Sequence, residues 1–237
     1  MNEFEKPLVE AEKTEDVSVS PVYTKIGFGK KEIWLTVIFS VLFILSGIVT
    51  YAWTLANHET ALPLFKKVST AVINNVSGET NELDNISEGK ISDSSWSTLF
   101  HLCVGIFFNN FKVVLAVLVG ATITVYFYPV VALISNGGIL GLTLGAFEIM
   151  DPKSSAIKSI FTDMLPHGIF EIPAIILACV FGARHGKSAY RALFKKQQDV
   201  PYKVVFKQTI RSFFYVLLPL LIVAALVETF ITPHLMG

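Results

Sequence analysis

IWLTVIFSVLFILSGIVTYAWTLA, residues 33–56, runs for 24 positions without a charged side chain. As an α-helix it would extend about 36 Å, enough to cross the roughly 30 Å hydrocarbon core of a bilayer. It is too long for a signal-peptide core and lacks a convincing small-residue cleavage site, so it is expected to stay as a membrane anchor. Two further stretches repeat the pattern: residues 113–135 carry no charge, and residues 212–230 carry one acid, Glu228. The composition agrees, with 52% apolar residues, 16% charged and 19 Phe, whereas a soluble domain carries about a quarter charged. A net charge of zero gives no support to nucleic-acid binding. Cys103 and Cys179 both fall in apolar segments and read as small buried hydrophobes, not as a disulfide framework.

The expected fold class is all-α: a polytopic transmembrane helix bundle of about five spans plus an interfacial or re-entrant helix. Residues 1–31, with six acids and five lysines, read as a flexible cytoplasmic tail. Residues 32–237 read as a single transmembrane domain, with an external loop at 57–98 and a basic cytoplasmic loop at 184–211. The external loop holds a weakly amphipathic piece around Leu62–Val76. Between residues 97 and 150 the expected order is an interfacial helix at 97–109, a span at 111–135, a turn at Asn136-Gly137-Gly138 and a short helix at 139–150. Residues 164–183 and 212–232 supply the remaining spans. Orientation follows from charge. The stretch 184–211 carries Arg184, Lys187, Arg191, Lys195, Lys196, Lys203, Lys207 and Arg211 against one acid, Asp199, whereas 57–98 carries three lysines and six acids. The positive-inside rule then puts the amino terminus in the cytoplasm and the carboxyl terminus outside a cell membrane.

In this topology Asn109, Asn110, Glu148, His167, Glu171 and Glu228 gather in the outer half of the bilayer. An ionisable group on a membrane helix costs about 2.5–3.5 kcal/mol on insertion scales, so each needs partners. His167 and Glu171 are four apart and share a helix face. With Glu228 they form a candidate shell for a divalent metal such as zinc, with an open position. Two other readings stand beside it: a hydrogen-bonded network that locks the bundle, and residues near the interface that simply face water. Lys112 either snorkels to headgroups or pairs with Glu148 or Glu228. Gly137, Gly141 and Gly145 repeat every four residues, the spacing that clears a helix face for close approach of another backbone. Gly182-Ala183-Arg184-His185-Gly186-Lys187-Ser188 imitates a phosphate-binding loop, but has three residues between its glycines where four are needed and follows a membrane helix instead of a strand. It reads as a helix end with positive-inside charge.

The pattern Asn109-Asn110, Gly120, Pro129, Asn136-Gly137 with Gly141, then Pro166-His167-Gly168-Ile169-Phe170-Glu171, Gly182, and Glu228 with Pro233 resembles the stage II sporulation protein M family over about residues 95–235. Pro173 departs from the pattern. The resemblance implies a multi-pass membrane protein whose namesake works, in endospore formers, with partners that remodel peptidoglycan during engulfment. The wider family reaches archaea, and some relatives accompany circular-bacteriocin maturation or export. It brings no settled activity. The leading expectation is a scaffold or assembly subunit of a cell-envelope complex, partnered by the bilayer and by other membrane or envelope proteins or further copies of itself. The alternative is a metal-dependent intramembrane hydrolase or peptide-processing and export protein using His167, Glu171 and Glu228. A transporter is a third class, disfavoured by length and by the lack of a clear internal repeat.

Overall fold

The computed structural model describes residues 29–77, 96–150, 165–194, 196–197 and 200–232. The expected tail lies outside the described residues except at 29–31. Helices follow in the order α1 (Lys30–Ala56), α2 (His58–Ser77), α3 (Trp96–Thr124), α4 (Phe127–Met150), α5 (Leu165–Leu193), α6 (Tyr202–Ser212) and α7 (Leu218–Phe230). A π-helical turn, Phe213–Leu217, joins α6 to α7. No strand occurs among the described residues. Five segments are long and apolar enough to cross a membrane: Lys30–Ala56, Leu99–Thr124, Phe127–Met150, Gly168–Leu193 and Tyr202–Phe230. The protein is an all-α membrane bundle.

The first span starts at Gly29, whose N–H donates to the Glu32 carboxylate at 2.9 Å. It stops at Asn57, whose side-chain amide donates to the Trp53 carbonyl at 2.9 Å. The Asn57 carbonyl then accepts the N–H groups of Thr60 and Ala61 at 3.1 and 2.9 Å, so α2 begins after one linking residue. This helix is not among the segments long and apolar enough to cross a membrane. Its half-buried and buried side chains Ala61, Leu62, Phe65, Val68 and Ser69 fall on one stripe, and Phe65 meets Phe147 of α4 edge-on at 5.8 Å.

The parse of residues 97–150 requires correction. There is no separate interfacial helix at 97–109; that stretch is the first half of α3. The chain turns at Val125-Tyr126, not at Asn136-Gly138. Val125 takes φ 58°, a conformation that a β-branched residue rarely adopts. The Thr124 hydroxyl accepts the Tyr128 N–H at 3.0 Å and so caps the next helix. Pro129 sits in its first turn, where a missing N–H leaves no bond unmade. Asn136 does not break α4, because its amide donates back to the Ala132 carbonyl at 2.8 Å within the helix. The glycines beside it serve packing instead.

That packing is internal to the chain. A Cβ on Gly137 would collide with the Phe43 carbonyl oxygen, one on Gly141 with the Gly47 carbonyl oxygen, and one on Gly145 with the Thr54 side chain at 2.7 Å. The glycine stripe therefore brings α4 into backbone contact with α1, and the Ser46 hydroxyl closes the seam by donating to the Ile134 carbonyl at 2.6 Å. A second seam joins α5 to α3. A Cβ on Gly182 would meet that of Ala121 at 2.9 Å, and one on Gly186 would strike the Ala121 carbonyl oxygen.

The phosphate-loop imitation thus lies within a helix, which continues ten residues beyond its expected end at 183. Residues 184–193 and 202–211 of the stretch expected as a basic loop are helical. The span containing α5 is 56% buried against 17% for α1, which makes α5 the central helix. Ala174, Ala178, Cys179, Val180 and Ala183 sit in its core, and the Cys179 thiol donates to the Pro129 carbonyl at 3.6 Å.

The π turn has a local cause. Pro219 lacks an N–H and its ring crowds the carbonyl four residues back, so an ordinary turn there would be strained. A wider turn makes room.

Candidate functional site

One end of the bundle collects the start of α3, the ends of α1, α4 and α7, and the beginning of α5; Trp96 and Phe230 meet there with ring centroids 6.4 Å apart. Glu148, Glu171 and Glu228 all lie near this end by their place in their helices. Asn109 and Asn110 do not. They sit about 20 Å along α3 from its start at Trp96, midway through the helix. Correcting the break moves them from the outer half to the middle. Asn110 is buried, and the Asn109 amide reaches its carbonyl oxygen at 3.5 Å. Lys112 is exposed midway along α3, and among the described residues it forms no ion pair with Glu148 or Glu228.

Glu148 has a partner that the sequence did not announce. The Tyr51 hydroxyl of α1 donates to its carboxylate, 97 residues away in the chain. The tyrosine extends the glycine seam by one turn and satisfies the acid inside the bundle.

Glu171 and Glu228, from α5 and α7, lie close enough for their charges to interact. Two such carboxylates repel, and a cation or proton held between them relieves the repulsion. Glu171 also lines a cavity of about 180 Å³ with Asn136, Thr143 and Gly168. That volume holds several waters beside three polar side chains. The His167 backbone is in the first turn of α5, but its side chain is outside the described residues. Among the described residues no three metal-ligating side chains cluster. Next to Glu228, the buried Thr229 hydroxyl has no hydrogen-bond partner among the described residues.

The opposite end holds a second polar assembly. Thr122 of α3 donates its hydroxyl proton to the Leu118 carbonyl at 2.9 Å. Its oxygen can therefore only accept from His185 Nδ1, 3.1 Å away. That fixes the proton on Nδ1 and leaves Nε2 to accept from the Tyr202 hydroxyl at 3.2 Å. Tyr202 also stacks on the imidazole, with centroids 5.6 Å apart. Arg184, one residue earlier, donates to Gln208 of α6 and lies 3.7 Å from the Glu32 carboxylate of α1. The sequence signal was present in the rejected loop motif, but its residues work on a helix.

The sequence profile described as stage II sporulation protein M matches residues 38–233. The chain belongs to the stage II sporulation protein M family. The match begins within α1 and runs past Glu228, so the family covers every span as well as both polar ends. "Uncharacterized protein MJ0793" of Methanocaldococcus jannaschii is 28% identical over 158 residues, covering 65% of this chain and 84% of that protein. No solved structure matches the chain significantly. Membership of the stage II sporulation protein M family and five apolar helices together make this a multi-pass membrane protein.

Proposed function

We propose that this protein is a scaffold or assembly subunit of a cell-envelope complex, with α2 as its docking platform. The observation that carries this reading is a stripe on α2 that no other described residue covers. While one face clasps the bundle, Leu64, Lys67, Ala71 and Val72 lie exposed at helical spacing on another. Two polar pairs tie helices together, Tyr51 with Glu148 and Thr122 with His185. Such ties stiffen a support. The basic residues at the other end favour a cytoplasmic amino terminus, which sets α2 on the outer surface. On native gels of gently solubilised membranes, wild type is expected in a complex well above its own 26.2 kDa. Leu64→Glu with Lys67→Glu should release it, while Val41→Ala, on the exposed flank of α1, should not. Migration of wild type as a lone subunit would end the scaffold reading.

A second reading rests on the electrostatic reach between Glu171 and Glu228: a metal-dependent intramembrane hydrolase or peptide-processing protein, with His167 as the third ligand. A metal there would activate water and a carboxylate would serve as base. Purified wild type is then expected to carry about one equivalent of zinc or a similar ion, lost in Glu171→Gln and in Glu228→Gln. Metal-free wild type, with both variants active in cells, would leave the two acids to structure alone.

A further inference from the structure

At the end of the bundle remote from Glu171, Lys31, Arg184, Lys187, Ser188 and Arg191 line a cavity of about 160 Å³. Val200 and Val205 supply its apolar part. Lys187 and Arg191 are one helical turn apart and also border a neighbouring cavity of about 360 Å³, with Tyr126, Tyr190 and Lys196. Among the described residues charge in this region is one-sided. Glu32 is committed to the Gly29 N–H and to Arg184, and among the described residues it is the only acid in ion-pair contact with the lining cations. Arg184 is held in place by Glu32 and Gln208 and forms a fixed positive wall. Lys31 and Lys187 are exposed and Arg191 half-buried, so the three can close on an anion. Lys31 also lies in the first turn of α1, where the helix dipole favours negative charge.

We propose that this cavity is a binding site for a phosphate group, with the headgroup of an anionic phospholipid as its favoured source. Guanidinium and ammonium donors from two helices, α1 and α5, suit a tetrahedral anion with several acceptor oxygens. The cavity is roomy enough for a phosphate group. The surroundings point to lipid. Tyr190, which borders the neighbouring cavity, is exposed, as are Leu193 and Phe194 at the same end of α5 and Phe206 beside the lining residue Val205; aromatic and apolar side chains of this kind are found at headgroup level. The residues of the imitation phosphate loop, Arg184, Lys187 and Ser188, thus bind phosphate from a helix and its neighbours, with no loop. The site does not depend on which face of the membrane is cytoplasmic, nor on what α2 binds.

The test uses full-length protein in neutral detergent micelles, where both ends are accessible. Native mass spectrometry would follow retention of phosphatidylglycerol against phosphatidylcholine, with inorganic phosphate as competitor. Wild type is expected to favour phosphatidylglycerol at least tenfold. Lys187→Gln with Arg191→Gln should weaken that binding about tenfold or more, since each cation near an anionic headgroup is worth about a factor of five. Lys203→Gln with Lys207→Gln removes the same charge from exposed positions on α6 and should change it less than twofold. Displacement by millimolar phosphate would support the site with a soluble phosphate as ligand, and resistance to it would assign the lipid. Equal weakening in both variants would reduce the effect to diffuse attraction and overturn the site. So would equal retention of the two lipids with no response to phosphate. If the double variant elutes as aggregate, Lys187→Gln alone carries the same comparison.

Discussion

Gly141→Leu is expected to pull α1 away from α4 and to lower stability in detergent by about 3–5 kcal/mol. At this position a Cβ would lie inside the Gly47 carbonyl oxygen and 2.9 Å from the Tyr51 nitrogen. Both obstacles are backbone, so no side chain can rotate out of the way. The whole of α1 must retreat, taking with it the Ser46 bond to Ile134 and the Tyr51 bond to Glu148. Each hydrogen bond contributes about 1 kcal/mol, more where a charged group is left inside the bundle. Gly168→Ala is the control, because its Cβ would meet only Ile172 Cδ1 at an ordinary 3.5 Å. That change should be neutral or mildly stabilising, alanine being the better helix former by about 1 kcal/mol. Identical melting of Gly141→Leu and wild type would mean that the two helices do not meet on this face.

Gly186→Leu should open the other seam. The added side chain would enter the Ala121 carbonyl and crowd the Cα of Val125 at 3.2 Å, at the turn between α3 and α4. That turn already holds Val125 at positive φ, so it has little room to yield. Displacing it also breaks the Thr122 contact to His185 and moves Pro129 off Cys179. Cys179 is fully buried, so its reaction with a maleimide reports the opening directly. In a Cys103→Ser background, labelling is expected to accelerate about tenfold or more, as for a site released by local opening. Protection of Cys179 equal to wild type would show that α3 and α5 remain joined.

The number of spans was legible because hydrocarbon admits few charges, and runs such as 33–56 have no second interpretation. The spacing of Gly137, Gly141 and Gly145 correctly announced close helix contact, and the structure adds that the partner is α1 of the same chain. The same glycines misled the parse, since Asn-Gly-Gly is also a turn signal and only tertiary contact separates the two uses. The real turn at Val125-Tyr126 carries no glycine, proline or asparagine and is fixed by a threonine cap and by packing. The Tyr51 link to Glu148 was illegible for another reason: a lone tyrosine in an apolar run says nothing about a residue 97 positions later. Of the candidate site, the pairing expected of Glu171 and Glu228 comes from counting unpaired acids in hydrocarbon. The shared depth given to Asn109 and Asn110 failed with the helix break on which it depended.

The wider turn at Phe213–Leu217 takes up one more residue than an α-helical turn would, while the axis continues into α7. Each residue in an uninterrupted helix advances the face by about 100°, so the turn sets the direction in which Glu228 leaves the last helix. It acts as slack in the thread: removing one residue within it would leave both flanks in phase, with the Pro219 ring then crowding the carbonyl four residues back. The length of this span and the aim of its acid are therefore separately adjustable, and a chain one residue shorter here could keep the same meeting of α7 with α5.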